Sequence, residues 1–290
     1  MQNKVVIAVD IDPSGPGTYP VDRIEPPPPA AETWDNAIES VNVIRCEWEG
    51  RAVVTVHTSP LFRWDFLSSD YLQLYRRVLS MGGAIGIHPH EDRNNGGNFY
   101  DNQEHMRHVI KGVHKTLTQA GIHPQACVSV FFAFADCLPQ LLSQLDIQIS
   151  LSSAPALRAS EEGAKWSPQW GDDFTNARPI CRKNYLHGRC QHETWDVYEI
   201  PLGWSGETTQ LKADHLFNEG SSLENLCSVW RKVRERARSS GEAQTVCFLC
   251  HGFGLGDDQW REQALKFIDF VLKSGDKVAA PEELISDIVQ

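Results

Sequence analysis

The chain has 290 residues, of which 41% are hydrophobic and 22% are charged, and its 27 basic and 38 acidic side chains give a formal net charge of −11. This composition is typical of a globular protein, so it excludes disorder, collagen and coiled coil, and the acidic balance disfavours nucleic acid as a partner. No stretch approaches the roughly 20 apolar residues of a membrane span, and the sequence enters a strand pattern directly, which predicts a cytoplasmic protein.

Strands and helices alternate through the first half of the sequence. An apolar, β-branched run predicts a strand over residues 5–10, which leads into Asp10 and Asp12. Four successive prolines within 25–31 predict an extended, solvated insertion. The same criteria predict a strand at 52–57, a helix at 70–81, a strand at 84–88, an amphipathic helix at 102–120 and a strand at 127–132.

The alternation continues to the end of the chain. Residues 154–197 are rich in Trp, Gly, Ser and charge without a clear period, which predicts long loops over one end of the scaffold. The βα rhythm predicts a single α/β domain over 1–290 with a mainly parallel sheet, either closed as a barrel or open. The elements that support it are a helix at 138–145, strands at 147–151 and 198–201, a helix at 223–238, a strand at 245–251 and a helix at 258–273.

Polar side chains follow several of the predicted strands at the point where each strand ends. In a parallel barrel these carboxyl ends meet on one face, where active sites are built. The pattern therefore favours the barrel and predicts one site from four distant segments. The residues concerned are Asp10, Asp12, His57, His88, His90 and His251.

Aspartate and histidine are suitable ligands for zinc or another first-row divalent ion, with one position left for water. Such an ion lowers the pKa of bound water to roughly 7, so a second carboxylate that stays off the metal can remove its proton. Of Asp10 and Asp12, one could bind the metal and the other could remove the proton. Alternatively, the pair could be turn or N-cap carboxylates.

The histidines allow complementary roles. His88 and His90 are two residues apart, so an extended chain directs both side chains to one side, as binding of a single ion requires. Two loop histidines around Pro89 are the alternative. His251 follows an apolar strand and could protonate a leaving group, whereas a core histidine is the other interpretation.

Three short motifs give a family resemblance. Asp10-Ile11-Asp12, Gly86-Ile87-His88-Pro89-His90 and Leu249-Cys250-His251 occur in an order that resembles the NodB-type polysaccharide deacetylase superfamily. The resemblance implies a deformed, seven-stranded (β/α) barrel with one divalent metal ion, commonly Zn2+, with Fe2+, Co2+ and Ni2+ as alternatives. It also implies hydrolysis of N-acetyl or related acyl groups on sugars.

The resemblance assigns roles to individual residues. It implies that Asp10 is the catalytic base, that Asp12 and His88 bind the metal, and that His251 assists the leaving group. In the family the second metal histidine usually lies four residues after the first; that position is Asp92 here, so either His90 or Asp92 could complete the site. The family's third-motif arginine has no counterpart at 130–134, which leaves Asp10 without its usual support.

The absence of an export signal predicts a small N-acetylated substrate, such as an aminosugar, glycoside or aminocyclitol of aminoglycoside-type biosynthesis. Trp64 and Trp204 are predicted to contact the sugar, because aromatic faces stack on such rings, and His57 is a third candidate for substrate contact. A cyclic-amide or allantoin-type hydrolase on the same barrel and a carbohydrate-binding pseudoenzyme are the alternatives. The eight cysteines are expected to be mostly buried thiols.

Overall fold

The computed structural model describes residues 2–13, 30–59, 62–91, 99–157, 170–188, 190–207, 214–281 and 283–284. Most of the predicted proline-rich insertion, residues 25–29, lies outside these ranges, and so does Asp92. Within the described residues, no helix has the length and apolar character that crossing a membrane requires.

A largely parallel sheet forms the centre of the molecule. Its order is β6-β7-β5-β4-β3-β2-β1-β8, and β9 also pairs with β1; β6 and β7 are the antiparallel pair. The strands are β1 Lys4–Asp10, β2 Val53–His57, β3 Ala84–His88, β4 Ala126–Cys127, β5 Ile149–Ser150, β6 Arg178–Cys181, β7 Thr194–Glu199, β8 Thr245–His251 and β9 Lys277–Val278.

The sheet curls until its ends meet. Beyond β7, Leu202 forms a parallel bridge to Cys247 of β8, and Phe217 forms another to Leu249. Backbone hydrogen bonds accompany both bridges, including Gly203 N–H to the Cys247 carbonyl at 2.9 Å. The open edge of β8 is thereby covered, so the fold is a deformed (β/α) barrel, which confirms the predicted fold class.

The helices lie along the strands, and several begin at a side chain that accepts a hydrogen bond from the first turn. Such caps satisfy backbone N–H groups that have no partner within the helix. Asn102 accepts from His105 N–H, Ser222 from Asn225 N–H, and Asp257 from Gln259 N–H and Trp260 N–H. The helices are α1 Ala30–Glu47, α2 Arg63–Phe66, α3 Ser69–Ser80, α4 Gln103–Gln119, α5 Leu138–Gln144, α6 Leu223–Ser240, α7 Gly252–Gly256 and α8 Asp258–Lys273.

Alternation along β1 separates two apolar cores. Val5, Ile7 and Val9 belong to the larger core, which also contains the buried helix residues, whereas Val6 and Ala8 belong to a smaller core within the barrel. Side chains of a strand alternate between faces, so Asp10 lies on the inner face with Val6 and Ala8. The chain thus buries a carboxylate at the end of an otherwise apolar interior.

Several elements differ from the sequence prediction. The strand predicted at 127–132 stops at Cys127 and gives way to a 3-10 turn, Val130–Phe132, because Phe131 and Phe132 adopt left-handed φ values of 49° and 54°. Left-handed backbone cannot continue a strand. The predicted loop region 154–197 contains β6 and the start of β7, which overlaps the strand predicted at 198–201. The elements α1, α2, α7 and β9 were not predicted.

The cysteine prediction holds for five of the eight residues. Cys127, Cys137, Cys227, Cys247 and Cys250 are buried free thiols, while Cys46 is an exposed one. Cys181 and Cys190 form a disulfide, with Cα atoms 5.4 Å apart, so for this pair the prediction is wrong. The physical reason is the antiparallel turn of the chain from β6 to β7, which brings the two side chains together.

Glu199, the last residue of β7, is a buried carboxylate. Its Oε1 atom accepts hydrogen bonds from Ser152 N–H (2.7 Å), Ser153 N–H (2.8 Å) and Ser153 Oγ–H (2.9 Å). Its Oε2 atom is buried without a hydrogen-bond partner among the described residues. Burial raises the pKa of Glu199 from 4.5 to about 7, and the serine hydrogen bonds oppose this shift.

This pKa predicts a pH-dependent stability. A folded-state pKa above the unfolded value means that stability is fully present below pH 4.5 and is lost as the pH rises to about 7. At about 1.4 kcal/mol per pKa unit, the loss is about 3 kcal/mol. In Glu199→Gln the amide oxygen can still accept from the serines, so the free energy of unfolding, measured in urea, should gain about 3 kcal/mol on wild type between pH 4.5 and 8.

Glu262→Gln is the matched control, because Glu262 is exposed and 66% of its side chain is accessible. Its unfolding free energy should follow that of wild type across the same pH range. A difference between Glu199→Gln and wild type that does not change with pH would contradict the assignment.

Candidate metal centre

The register of four parallel strands assembles the predicted residues in two levels at one end of the barrel. In the lower level, Asp10 of β1 is paired with Thr55 of β2 on one side and with His251 of β8 on the other. In the upper level, His57 of β2 is paired with His88 of β3. Parallel register makes neighbouring residues point to the same face, so these side chains converge.

Asp12, His88 and His90 form a cluster of three potential metal ligands. One ligand atom from each residue lies within 4.8 Å of the other two. Both histidines are buried, and 11% of the Asp12 side chain is accessible. Asp12 Oδ1 lies 3.6 Å from His88 Nε2 and is buried without a hydrogen-bond partner among the described residues. A buried carboxylate oxygen in that state is costly unless a cation or donor reaches it.

The His88 ring is held in an orientation suited to metal binding. Its Nδ1 atom lies 2.6 Å from the Val128 carbonyl oxygen, which can only accept a hydrogen bond, so Nδ1 carries the proton. Nε2 is then unprotonated, so its lone pair can bind a metal ion on the side of the ring that faces Asp12. Burial lowers the pKa of His88 to about 4, despite the nearby Asp12 carboxylate, which favours the neutral ring that metals bind.

His57 lies behind this cluster and is completely buried. Ser59 N–H donates to His57 Nδ1 (3.2 Å), so in the neutral ring the proton is on Nε2, which lies 3.6 Å from Asp12 Oδ1. The ring stacks on His90 with centroids 4.4 Å apart. Burial and the adjacent His90 and His88 lower the pKa of His57 well below its usual value. The contacts of His57 with Asp12 and His90 indicate that it helps to position these two side chains. Contact of His57 with substrate remains a prediction.

Asp10 adjoins the cluster from below. Thr55 Oγ–H donates to Asp10 Oδ1 at 2.7 Å, and Asp10 Oδ2 lies 3.8 Å from His88 Nδ1. Burial raises the pKa of Asp10 to about 6, although His251, Thr55 and His90 act in the opposite direction. Thr55 thus supplies a hydrogen bond to this buried carboxylate, and residues 130–134 contain no arginine.

His251 lies opposite, and Glu219 holds it. Glu219 Oε2 accepts from His251 Nδ1 at 3.0 Å, and Oε1 accepts from the His251 backbone N–H at 2.9 Å. The other ring nitrogen, Nε2, lies 3.8 Å from Asp12 Oδ2. Burial lowers the pKa of His251, but Glu219, Asp12 and Asp10 together outweigh burial and raise it to about 9.

Close packing fixes Glu219 in this position. A Cβ atom added to Gly254 would lie 1.9 Å from Glu219 Oε1, so any larger residue would displace the carboxylate. Phe253 stacks on the His251 ring with centroids 4.9 Å apart. The short helix α7 therefore provides both the space for Glu219 and one wall for His251.

The remaining predicted site residues are more distant from the cluster or outside the described chain. Trp64 lies on α2 and is 75% exposed. Trp204 is buried and stacks on His215. Their contact with substrate stays a prediction, as does metal binding by Asp92, which lies outside the described residues.

Sequence reasoning missed Thr55 and Glu219. A period of two from His57 places Thr55 on the same inner face, so the strand pattern could have identified it. Glu219 has no comparable signal, since its segment returns to β8 through the isolated bridge at Phe217.

The donor set fits a divalent cation such as zinc. Two imidazoles and one carboxylate form an open site that leaves positions for water or substrate. The partnerless Asp12 oxygen and the fixed Nδ1 proton of His88 are the structural observations that support this fit. Asp10 and His251 lie on either side, at the distances given above, and are available for proton transfer.

Comparison with known proteins gives matches among solved structures. No protein-family model and no curated protein matches the sequence. A structure described as a polysaccharide deacetylase from Mycobacterium smegmatis aligns with a TM-score of 0.61 at 13% identity, covering 99% of this chain and 90% of that one. A second, from Pseudomonas aeruginosa PAO1, has a TM-score of 0.56 at 10% identity and coverages of 98% and 89%.

A Puue allantoinase structure also aligns, with a TM-score of 0.54, 9% identity and coverages of 95% and 86%. Identities this low establish a common fold and leave the reaction to be argued from the site. The chain has the deformed (β/α) barrel fold of the NodB-type polysaccharide deacetylases, as its three sequence motifs predicted.

Proposed function

We propose that the protein is a metal-dependent hydrolase that removes an N-acetyl or related acyl group from a small aminosugar, glycoside or aminocyclitol. The observation that carries the proposal is the cluster of Asp12, His88 and His90, with ligand atoms within 4.8 Å of one another. Asp10 and His251 flank this cluster. A ligand set, a base and an acid within one strand-end site are the components of amide hydrolysis.

Asp12, His88 and His90 would hold the ion. When bound, a divalent ion such as Zn2+ supplies Lewis acidity towards the acyl carbonyl and the attacking water. The Val128 carbonyl keeps the His88 ring in its binding orientation through the 2.6 Å hydrogen bond. Such supporting contacts fix the tautomer and direction of a ligand.

Asp10 acts as the base. Its carboxylate is buried beside His88, and Thr55 occupies Oδ1 at 2.7 Å. The Thr55 hydrogen bond fixes the plane of the carboxylate, so Oδ2 is the oxygen available to take a proton from the attacking water.

His251 acts as the acid. Glu219 binds Nδ1, so the proton that is delivered to the departing amine comes from Nε2, which lies on the Asp12 side of the ring. The Glu219 carboxylate stabilises the imidazolium and fixes the direction of the ring. Proton removal by Asp10 and proton delivery by His251 complete the cleavage of the C–N bond by water.

A sugar amide is favoured as substrate by the shared fold with polysaccharide deacetylases. The net charge of −11 supports attraction of an amine-bearing substrate. The allantoinase match gives a second candidate, hydrolysis of a cyclic amide on the same barrel. Acetate release from a panel of N-acetylated aminosugars, compared with ring opening of allantoin, separates the two.

Metal binding is the first test. The purified protein, equilibrated with Zn2+, should bind about one ion per chain by elemental analysis, because the cluster offers one set of three ligands. Asp12→Ala, His88→Ala and His90→Ala should each weaken binding by at least the 10- to 100-fold that loss of a supporting residue typically costs.

His123→Ala is the control for these variants, since His123 is exposed and remote from the ligand set. It should retain the wild-type zinc content. Unchanged zinc affinity in Asp12→Ala or His88→Ala would refute the proposed ligand set.

The role of Asp10 is tested separately from metal binding. Asp10→Asn should bind zinc as wild type does, while kcat for acetate release should fall about 10²- to 10⁴-fold, the range for loss of a general base. Asp65→Asn, on the exposed face of α2, should keep both properties. Full activity in Asp10→Asn would remove Asp10 from the mechanism. If the wild-type protein binds glycans but hydrolyses none of them, the carbohydrate-binding pseudoenzyme would be favoured instead.

A further inference from the structure

Glu91 follows His90 directly and is completely buried. Because successive side chains in extended backbone point in opposite directions, His88 and His90 face the metal cluster while Glu91 faces away from it. A buried carboxylate at this position is costly unless cations and donors surround it. The mechanism given above does not use Glu91.

Donors from three other segments converge on this carboxylate. Arg63 Nη2, from α2, lies 2.8 and 2.9 Å from its two oxygens. Thr58 Oγ–H donates to Oε1 at 2.6 Å, and His105 Nε2, from α4, donates to Oε2 at 2.7 Å. Hydrogen bonds to charged groups of this length are among the stronger ones in proteins.

Thr58 connects the carboxylate to the metal-binding segment. Its Oγ accepts a hydrogen bond from His90 N–H at 3.2 Å while donating to Glu91. Its own backbone N–H donates to the His88 carbonyl at 3.2 Å, and Arg63 Nε donates to the Thr58 carbonyl at 2.7 Å. Thr58, directly after β2, is thus hydrogen-bonded to the end of β3 through its backbone and to the two residues after Pro89 through its side chain.

The rest of the segment is held from the other side. The Pro89 carbonyl accepts from Tyr100 Oη–H (2.5 Å) and from Val130 N–H (3.4 Å). The Glu91 carbonyl accepts from Phe99 N–H at 3.0 Å. Every residue from His88 to Glu91 therefore has a backbone hydrogen bond to a neighbouring segment. Glu91 also forms an ion pair with Arg63.

This arrangement accounts for the shortened ligand spacing. A second ligand four residues after His88 would be Asp92, whereas His90 is the residue whose ring lies in the cluster of described residues. Extended backbone is what allows a ligand at position two to face the same side as His88. The Glu91 carboxylate is bound to Thr58, Arg63 and His105, so its side chain is held away from the cluster that contains the His90 ring.

We propose that Glu91, through Thr58, Arg63 and His105, is a positioning residue that enables His90 to serve as the third metal ligand. The inference rests on the proposed metal-dependent function and adds to it a group that touches neither metal nor substrate. Supporting residues around metal ligands are typically worth 10- to 100-fold in metal affinity.

The test is zinc affinity of the full chain, measured by competition with a chromogenic chelator. Glu91→Gln preserves the size of the side chain but replaces one acceptor oxygen with an NH2 group. This group cannot accept the hydrogen bonds that Thr58, Arg63 and His105 donate to the carboxylate. Zinc Kd should rise about 10- to 100-fold. With Co2+ in place of zinc, the visible absorption of the bound ion should also change, because the position of His90 alters the ligand field.

Asp276→Asn is the matched control. Asp276 is also a buried carboxylate held by an arginine, with Arg234 Nε at 3.0 Å and Trp230 Nε1 at 3.1 Å, but it lies beside β9 at the opposite end of the barrel. This variant should lose stability without any change in zinc Kd or in the cobalt spectrum. A loss of affinity equal to that of Glu91→Gln would show that general destabilisation explains both and would overturn the proposal.

A second pair of variants covers the case in which Glu91→Gln does not fold. Thr58→Val removes the hydroxyl between His90 N–H and Glu91 and keeps the shape of the side chain, whereas Thr58→Ser keeps the hydroxyl. Zinc Kd should rise about tenfold in Thr58→Val and return towards wild type in Thr58→Ser. Equal affinities in both variants, with zinc bound by wild type, would overturn the proposal and leave the metal centre intact. Failure of wild type to bind Zn2+ or Co2+ would instead remove the metal centre and this inference together.

Discussion

The hydrogen-bonded register of β1 with β2 and β8 is the constraint on which the site depends. It pairs Asp10 with both Thr55 and His251, and the next register along pairs His57 with His88. A slip by one residue would turn each of these side chains towards the helices. The apolar alternation of β1 opposes such a slip, because it would move Val6 and Ala8 out of the inner core. Burial of the apolar side chains of β1 therefore fixes the position of polar side chains such as Asp10, whose own burial costs free energy.

Burial of so many ionisable groups requires local compensation. Glu219 faces His251, and Glu91 faces Arg63 and His105, so each of these carboxylates has a cationic or donor partner. Asp12 and Glu199, in contrast, each have a buried oxygen that no described hydrogen-bond donor reaches. Proteins tend to break the rule of satisfied polar groups at functional sites. The Asp12 oxygen lies 3.6 Å from a ring nitrogen of both His57 and His88, and this position is why we propose a cation at Asp12.

Much of the scaffold could be predicted because its strands carry strong local signals. β3 and β8 match the predicted ranges, since both are short, apolar runs that end in a histidine. The same reasoning failed at Val130–Phe132, where a strand-like sequence adopts left-handed backbone that only its tertiary surroundings dictate. It also failed for β6 and for the first four residues of β7. These two strands pair through an antiparallel ladder, and a disulfide lies nearby. At the site, motif residues were predicted, whereas Glu219 and Glu91 depend on contacts between segments distant in sequence.

The pairing of β1 with β8 has a consequence for synthesis of the chain. Lys4 is paired with Thr245, so the partners in these two neighbouring strands are 245 − 4 = 241 positions apart in the sequence. Translation at roughly 5–20 residues per second leaves β1 without this neighbour for roughly 12–50 s after it emerges from the ribosome. Non-local pairing of this kind is also intrinsically slow. The nascent chain must therefore keep an apolar strand from aggregating until β8 has been made.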